Sequence, residues 1–428
     1  MKPLYIISCP IDTYSGYGAR SRDVVKAIIE LDKYDVKILP QRWGNTPWGF
    51  IEDHKEEWEF LTPHLLPPGN SLPAKPKIWS QITVPNEFQP IGEYNVGFTA
   101  GIETTICSPD WIEGLNRMDL NIVSSQHAKE VFENTKYNKE DNQGNSIGEV
   151  FLKKPIEVLF EGADLTKYFP LKETNKFDLS DIKEKFAFLS VGHWMQGDLG
   201  EDRKNIGLLI KAFYETFKDQ KSPPALILKS SGSGCSYIDR DQILNKIYSI
   251  KQTIEASILP NIYLLHGELT DKEMNDLYNH KKVKAMVSLT KGEGFGRPLL
   301  EFSLTKKPII ASNWSGHLDF LDPKFTSLIS GELTNVHPSA VVKNMILKES
   351  KWFSPHPPMV SKCLHSIFND YKKYEKGATL QYHKSKNSFS FEKMKESFEN
   401  IYDIYVPNFP STVELNLPKL NLPKLENV

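Results

Sequence analysis

The stretch Lys291-Gly-Glu-Gly-Phe-Gly-Arg-Pro-Leu-Leu-Glu301 decides how this chain is read. Ahead of it, Ala285-Met-Val-Ser-Leu289 is short and apolar, the pattern of a buried strand. Behind it, Pro298-Leu-Leu-Glu-Phe-Ser-Leu-Thr305 reads as a helix opened by proline. Glycines at 292, 294 and 296 stand between the two. Glycine lets backbone come close to a ligand, and a helix start offers unpaired N–H groups and a positive dipole. Glu293 and Glu301 bracket the loop with seven residues between them. Phosphate-binding backbone flanked by two carboxylates fits a ligand that carries both phosphate and hydroxyls, as a sugar nucleotide does. A strand–glycine–helix turn also forms in proteins that bind nothing there, and Glu301 can serve simply as a partner of its helix dipole. Glu293, with glycine on both sides, has no helix to stabilise.

Outward from this stretch the second half alternates regularly. Strands are expected at Phe186–Val191, Ala225–Lys229, Ile262–Leu265 and Pro308–Ala311, and helices at Ile206–Phe217, at Asp271–Asn279 and near His317–Leu321. Thr270 and Glu273 form a capping-box pair ahead of the second helix. Such alternation predicts an α/β fold with a doubly wound parallel sheet. Between the first strand and its helix, Arg203-Lys204 places two cations at a helix start, where the dipole opposes them and a bound diphosphate would account for them. Asp239-Arg-Asp241 has the form of a divalent-metal motif, but it precedes a helix expected at Gln242–Ile254 and reads better as its cap.

The first half repeats the pattern less cleanly. Leu4–Ser8, Val36–Leu39, Val96–Thr99, Leu120–Ser124 and Ile156–Phe160 read as strands. Gly16 and Gly18 form a second glycine loop ahead of a helix at Ala19–Leu31. A third glycine and the acidic residue of a dinucleotide site are missing, so NAD is a poor fit. Glu103 follows a strand at the edge where parallel sheets meet ligands. Residues 41–95 look irregular and rich in tryptophan and proline. Trp43, Trp48 and Trp79 are therefore candidates for stacking on an acceptor, although tryptophans also bury irregular loops.

The chain has 428 residues, too many for one ordinary core. Expected units are 1–170, 171–385, a C-terminal helix at 386–407 that crosses back to the first unit, and an extended tail at 408–428. The tail repeats Leu-Asn-Leu-Pro-Lys at 415–419 and 420–424, where proline forbids a helix and the segment could dock on a partner or neighbouring subunit. Lys+Arg 52 against Asp+Glu 54 leaves a net charge of −2, no footprint for a protein that lives on nucleic acid. Four scattered cysteines, with no CxxC, read as reduced core thiols. Neither a leader nor a membrane span is evident, and the expected location is cytoplasmic.

The second half resembles the nucleotide-binding domain of family 4 retaining glycosyltransferases, most strongly from Phe186 to Leu321, and Gly292–Glu301 resembles that family's paired-glutamate motif. The resemblance implies a GT-B fold, two Rossmann-like domains facing across a cleft. It implies that Glu293 holds the donor sugar's hydroxyls and that Gly294, Phe295 and Gly296 present backbone to sugar and phosphate. Glu301 would hold the ribose, Lys204 and Arg203 would neutralise the diphosphate, and Gly16 would close over it from the other domain. Gly18 and Arg297 fall beside these positions and join the donor-binding set. His193 stands where the family usually has arginine, and no sugar-facing histidine appears near Phe98–Glu103, so Glu103 is a candidate substitute. Asn313–Asp319 resembles the turn that follows in such enzymes. The implied reaction transfers sugar from a UDP-sugar to a hydroxyl on a glycan or small molecule, without metal or cofactor. Two alternatives are glycosylation of a hydroxymethylated base in DNA, as in bacteriophage enzymes of related fold, and a sugar-nucleotide epimerase or hydrolase.

Overall fold

The computed structural model describes residues 2–67, 72, 74–140, 143, 146–174, 176–232 and 234–409. The tail repeat at 415–424 lies outside the described residues. Strands β1 (Leu4–Cys9), β2 (Asp35–Pro40), β3 (Ile78–Ile82), β4 (Tyr94–Thr99) and β5 (Leu120–Val123) belong to the first half. A hairpin of β6 (Lys136–Glu140) and β7 (Ser146–Phe151) follows, then β8 (Ile156–Val158). Leaving out the hairpin, these strands form one parallel sheet in the order β2-β1-β3-β4-β5-β8.

The second half contributes β9 (Ala187–Val191), β10 (Ala225–Lys229), β11 (Ile262–Leu265), β12 (Val283–Ser288), β13 (Ile309–Ser312) and β14 (Ser327–Ile329). Their order is β11-β10-β9-β12-β13-β14, again parallel. An antiparallel pair, β15 (Gly331–Asn335) with β16 (Lys351–Pro355), lies beyond it. Two doubly wound parallel sheets are the α/β fold anticipated from strand and helix alternation. In such sheets ligands bind where strand order reverses, outside the carboxyl ends. In the second sheet that point lies between β9 and β12, which lead directly into the loops carrying Arg203-Lys204 and Glu293.

Local sequence explains where elements begin. Thr270 Oγ1 accepts from the Glu273 N–H at 3.2 Å, and Glu273 Oε2 accepts from the Thr270 N–H at 2.8 Å, so the helix Asp271–Asn279 starts where its capping box places it. The region 41–95 is more ordered than expected, because β3 pairs with both β1 and β4 inside it. The polar pair Ser80-Gln81 hid that strand. Both residues are buried and satisfied, Ser80 by the Tyr5 hydroxyl at 2.5 Å and Gln81 by donating to Glu87 O at 3.1 Å. Trp79 lies on this strand at 2% exposure, packed in the core, so it cannot face an acceptor. Trp58 is likewise a core residue.

Several other boundaries move. The first helix spans Gly16–Glu30 with Ser15 as its cap, which puts Gly16 and Gly18 in the opening turn. The helix at Tyr237–Gln252 is capped by Ser236, not by Asp239. The Asp239 carboxylate accepts the Gly232 N–H and sits 2.8 Å from His266 Nε2. His317 lies in a single 3₁₀ turn, Gly316–Asp319, instead of a longer helix. Of the four free cysteines, Cys9 and Cys107 are buried, but Cys235 is exposed and is no core thiol.

The last two helices among the described residues tie the two halves together. The helix Tyr371–Ser388 leans on the second half, where Ser385 Oγ meets Ser303 Oγ at 2.7 Å and Gln381 Nε2 donates to Phe320 O at 2.8 Å. The next helix, Phe391–Tyr405, returns to the first sheet. Its Phe391, Met394, Phe398 and Tyr402 join that core, and the Tyr402 hydroxyl meets Tyr5 OH at 2.6 Å. Phe398 is fully buried. Phe398→Ala should destabilise the first domain by about 3–5 kcal/mol, the usual cost of emptying a buried phenylalanine site. Denaturant unfolding checks this, and a loss below ~1 kcal/mol would mean the helix is not part of that core.

Candidate active site

Glu293 is the centre of the site. Its side chain is only 9% exposed. Lys204 Nζ reaches Oε1 at 2.5 Å, and Arg203 Nη1 lies 3.5 Å from Oε2. Burial alone would raise this carboxyl, but the two cations outweigh it and hold the group down at about 2. Arg203 also reaches across to the first domain, 3.6 Å from Glu103 Oε1. Thus Glu103, the adjacent pair Arg203 and Lys204, and Glu293, three places far apart in sequence, come together at one seam. Burial pulls the Lys204 ammonium down, opposed by Glu293. For Arg203 burial acts the same way, yet Glu103 and Glu293 carry it above its ordinary value.

The loops that deliver these groups are held from behind. Lys291 N–H donates to Arg203 O at 2.7 Å, and Arg203 Nη1 donates to Gly292 O at 3.2 Å, so the two loops are stitched side by side. Glu293 N–H donates to Ser315 Oγ at 2.9 Å, and Gly316 N–H donates to Glu293 O at 3.0 Å. Ser315 holds φ at 80°, an uncommon conformation for a residue with a side chain, and such strain persists where the surroundings impose it. The turn Asn313–Asp319 therefore acts as the backing of the Glu293 loop, a role its sequence did not disclose. Gly296 has φ 98° at the cap of the helix Arg297–Ser303, a value that favours glycine. The N–H groups of Gly294, Phe295 and Gly296 find no acceptor among the described residues.

The glycines have a second purpose that was not anticipated. A Cβ at Gly292 would lie 2.0 Å from Glu103 O, and one at Gly294 would lie 2.4 Å from Ala100 O. Both clashes are with backbone of the first domain. Ser124 Oγ shares its one proton between Ala100 O at 2.7 Å and Gly294 O at 3.2 Å, and Gln126 N–H donates to Asp319 Oδ2 at 2.9 Å across the same seam. The loop lacks side chains so that the two domains can meet there. Phe295 turns its ring into the core against Phe320, with centroids 5.0 Å apart.

Other anticipated residues separate. Glu301 is buried, and burial lifts its carboxyl to about 7 although Arg297 pulls it down. It accepts from Arg297 Nε at 3.0 Å and from the Tyr278 hydroxyl at 3.2 Å. Arg297 is committed to Glu301 and to Asp23, and is not a free cation for phosphate. His193 is exposed at the mouth of β9, with Nδ1 2.9 Å from Ser231 Oγ. Gly16 is open, and a Cβ there would meet nothing within 4 Å. Gly18 is not available to a donor. Its N–H goes to Ser15 Oγ at 2.9 Å, and a Cβ there would strike Thr13 O at 2.3 Å. Trp43 stacks on Tyr17 with centroids 3.9 Å apart, and the Tyr17 hydroxyl accepts from the Ala100 N–H, which places this pair beside the seam. Trp48 is 41% exposed with Arg42 over its ring. Sequence reasoning missed Asp23, Tyr278, Ser124 and Ser315. Ser315-Gly316 carried a turn signal, whereas nothing local marks the other three.

Two facing parallel-sheet domains with the site at the switch point define the GT-B class. Residues 172–342 match the family model of glycosyl transferases group 1, and the two sheets together have the GT-B fold. Solved structures that share the fold include sucrose-phosphate synthase from Thermosynechococcus elongatus, with TM-score 0.61 and 12% identity over 94% of this chain and 98% of that one. A glycosyltransferase from Rickettsia africae gives TM-score 0.61 and 13% identity over 95% and 100%. HepE from Anabaena, solved in complex with UDP-glucose, gives TM-score 0.56 and 12% identity over 94% and 99%. Comparison with curated proteins finds no match. No helix among the described residues is long and apolar enough to cross a membrane.

Proposed function

We propose that the enzyme transfers a sugar from a UDP-sugar to a hydroxyl of a glycan or small molecule, with retention at the anomeric carbon. The observation that carries this reading is the Glu103–Arg203–Lys204–Glu293 cluster at the seam. A diphosphate leaving group needs cations where its charge develops, and Arg203 and Lys204 stand beside a carboxylate suited to sugar hydroxyls. These two side chains neutralise the diphosphate, so the reading invokes no metal or cofactor. The unpaired N–H groups of the Gly294–Gly296 loop add donors for a phosphate oxygen. Glu293 orients the sugar and Glu301 takes the ribose. Gly16, open at the start of the first helix, approaches the diphosphate from the opposite domain. The HepE complex with UDP-glucose supports a uridine donor by likeness of fold.

In the transfer the bond from anomeric carbon to phosphate oxygen breaks, and the acceptor oxygen bonds to the same face. The acceptor's proton passes to the leaving phosphate oxygen, so no protein nucleophile enters the path. Contact between the domains excludes water that would otherwise hydrolyse the donor. Trp43 on Tyr17, with the exposed Trp48, offers an aromatic surface for the acceptor.

A panel of nucleotide sugars, with mass spectrometry of glycan, small-molecule and hydroxymethylated-DNA acceptors, tests the reading. Transfer to DNA alone would replace the acceptor class. Donor consumption without acceptor would point to an epimerase or hydrolase. Glu103 steadies Arg203 and faces the sugar across the seam, so Glu103→Gln should lower kcat about tenfold or more, the scale of one lost charged hydrogen bond. Unchanged turnover would remove Glu103 from the mechanism.

A further inference from the structure

The first helix carries a charge that the transfer scheme does not use. Asp23 sits two turns beyond Gly16, and its Oδ2 takes Arg297 Nη1 at 2.5 Å. Arg297 in turn gives Nε to Glu301 Oε1 at 3.0 Å. The three side chains are 13%, 24% and 8% exposed, so the chain of contacts is well shielded. Nothing in the local helix favours this arginine. It is the first residue of Arg297–Ser303, the end where the dipole opposes a cation, and a cation placed four residues before its acid is the weaker order for such a pair. Two carboxylates, one from each domain, are what hold it.

The arrangement leaves Glu301 usable. A carboxylate has roughly four acceptor positions, and Arg297 with Tyr278 fills two. The remaining two suit a pair of neighbouring hydroxyls.

We propose that Asp23 is a positioning residue for the donor: acting through Arg297, it fixes the Glu301 carboxylate in the orientation that receives the ribose, and it does so only when the domains meet. This rests on the sugar-nucleotide reading. It gives the first domain a hold on the nucleoside half of the donor without touching it, and couples nucleotide affinity to closure. The same helix thus serves the donor twice, at its open start through Gly16 and two turns later through Asp23.

The test uses the full chain with UDP titrated by calorimetry, alongside steady-state kinetics with the donor found in the panel. Asp23→Asn should weaken UDP binding and raise the donor KM about tenfold, with kcat changed less than about threefold. Asp23→Glu should recover most of the loss. Arg297→Gln and the double variant Asp23→Asn/Arg297→Gln should bind UDP equally, because both break one path. If Asp23→Asn leaves UDP binding and KM unchanged while Glu301→Gln weakens them, the positioning role is overturned and the ribose assignment stands. If Glu301→Gln is itself without effect, the ribose assignment falls, and the proposal with it. A lowered melting temperature with KM unchanged would make Asp23 purely structural and also overturn the proposal.

Discussion

Lys204→Met should cut kcat by about 10²- to 10³-fold, the range seen when one preorganised group facing developing charge is removed. Methionine keeps the apolar stem, which packs where a Gly192 Cβ would lie, with Lys204 Cδ, Cε and Cγ at 3.4–3.5 Å. The loss is therefore one of charge and not of packing. It has two parts. The leaving diphosphate loses a cation, and Glu293 loses the 2.5 Å partner that most opposes its burial. The Glu293 carboxyl should then titrate well above its present value of about 2. Turnover of the variant should accordingly fall toward acidic pH, where the parent enzyme keeps Glu293 ionised. Steady-state rates from pH 5 to 8 check both statements. A variant within about threefold of the parent at neutral pH would mean that Lys204 does not meet the leaving group.

Gly294→Ala should reduce turnover about 100-fold while hardly moving the melting temperature. The added Cβ would stand 2.4 Å from Ala100 O and 3.3 Å from Ala100 C, closer than atoms can approach. Ala100 O cannot yield easily, because Ser124 Oγ holds it at 2.7 Å. Gly294 does not occupy the left-handed region, so alanine suits its backbone, and the obstruction arises only where the two domains meet. Relief requires them to part by a fraction of an ångström or more. That separates Glu103 from Arg203 and withdraws Ser124 from Gly294 O. Misplacement of reacting groups by about 1 Å can cost 10²-fold in rate. UDP should still bind the second domain, though more weakly if Asp23 couples the domains through Arg297. Full activity in Gly294→Ala would show that catalysis does not use this contact between the domains.

Much of the second domain was legible because its elements obey local rules. The helices Ile206–Phe217 and Asp271–Asn279 and the strands Ala225–Lys229 and Ile262–Leu265 fall where periodicity and capping place them. The first domain was harder. β3 is buried on both faces but carries Ser80 and Gln81, whose partners come from Tyr5 and the 87–89 turn. A polar residue whose partner is remote reads locally as a loop. Trp79 looks available to a ligand for that reason, since an aromatic in an apparent loop has no visible core to join. Gly18 misleads for a related one, because glycine signals close approach without saying to what.

What the sequence determined by itself was the chemistry on offer: a strand, a glycine loop, two acids bracketing it, and paired cations at the start of another helix. These follow from short-range rules of propensity, capping and charge, which act over a turn or two of chain. What only the tertiary structure decided was which of these groups meet and what they do there. It put Glu103 against Arg203, turned the glycines of the loop toward the opposite domain, and spent Arg297 between Asp23 and Glu301. Each depends on how two separately wound sheets face each other. That is set by long-range packing, including the helix Phe391–Tyr405 folding back on the first core, and no stretch of local sequence records it.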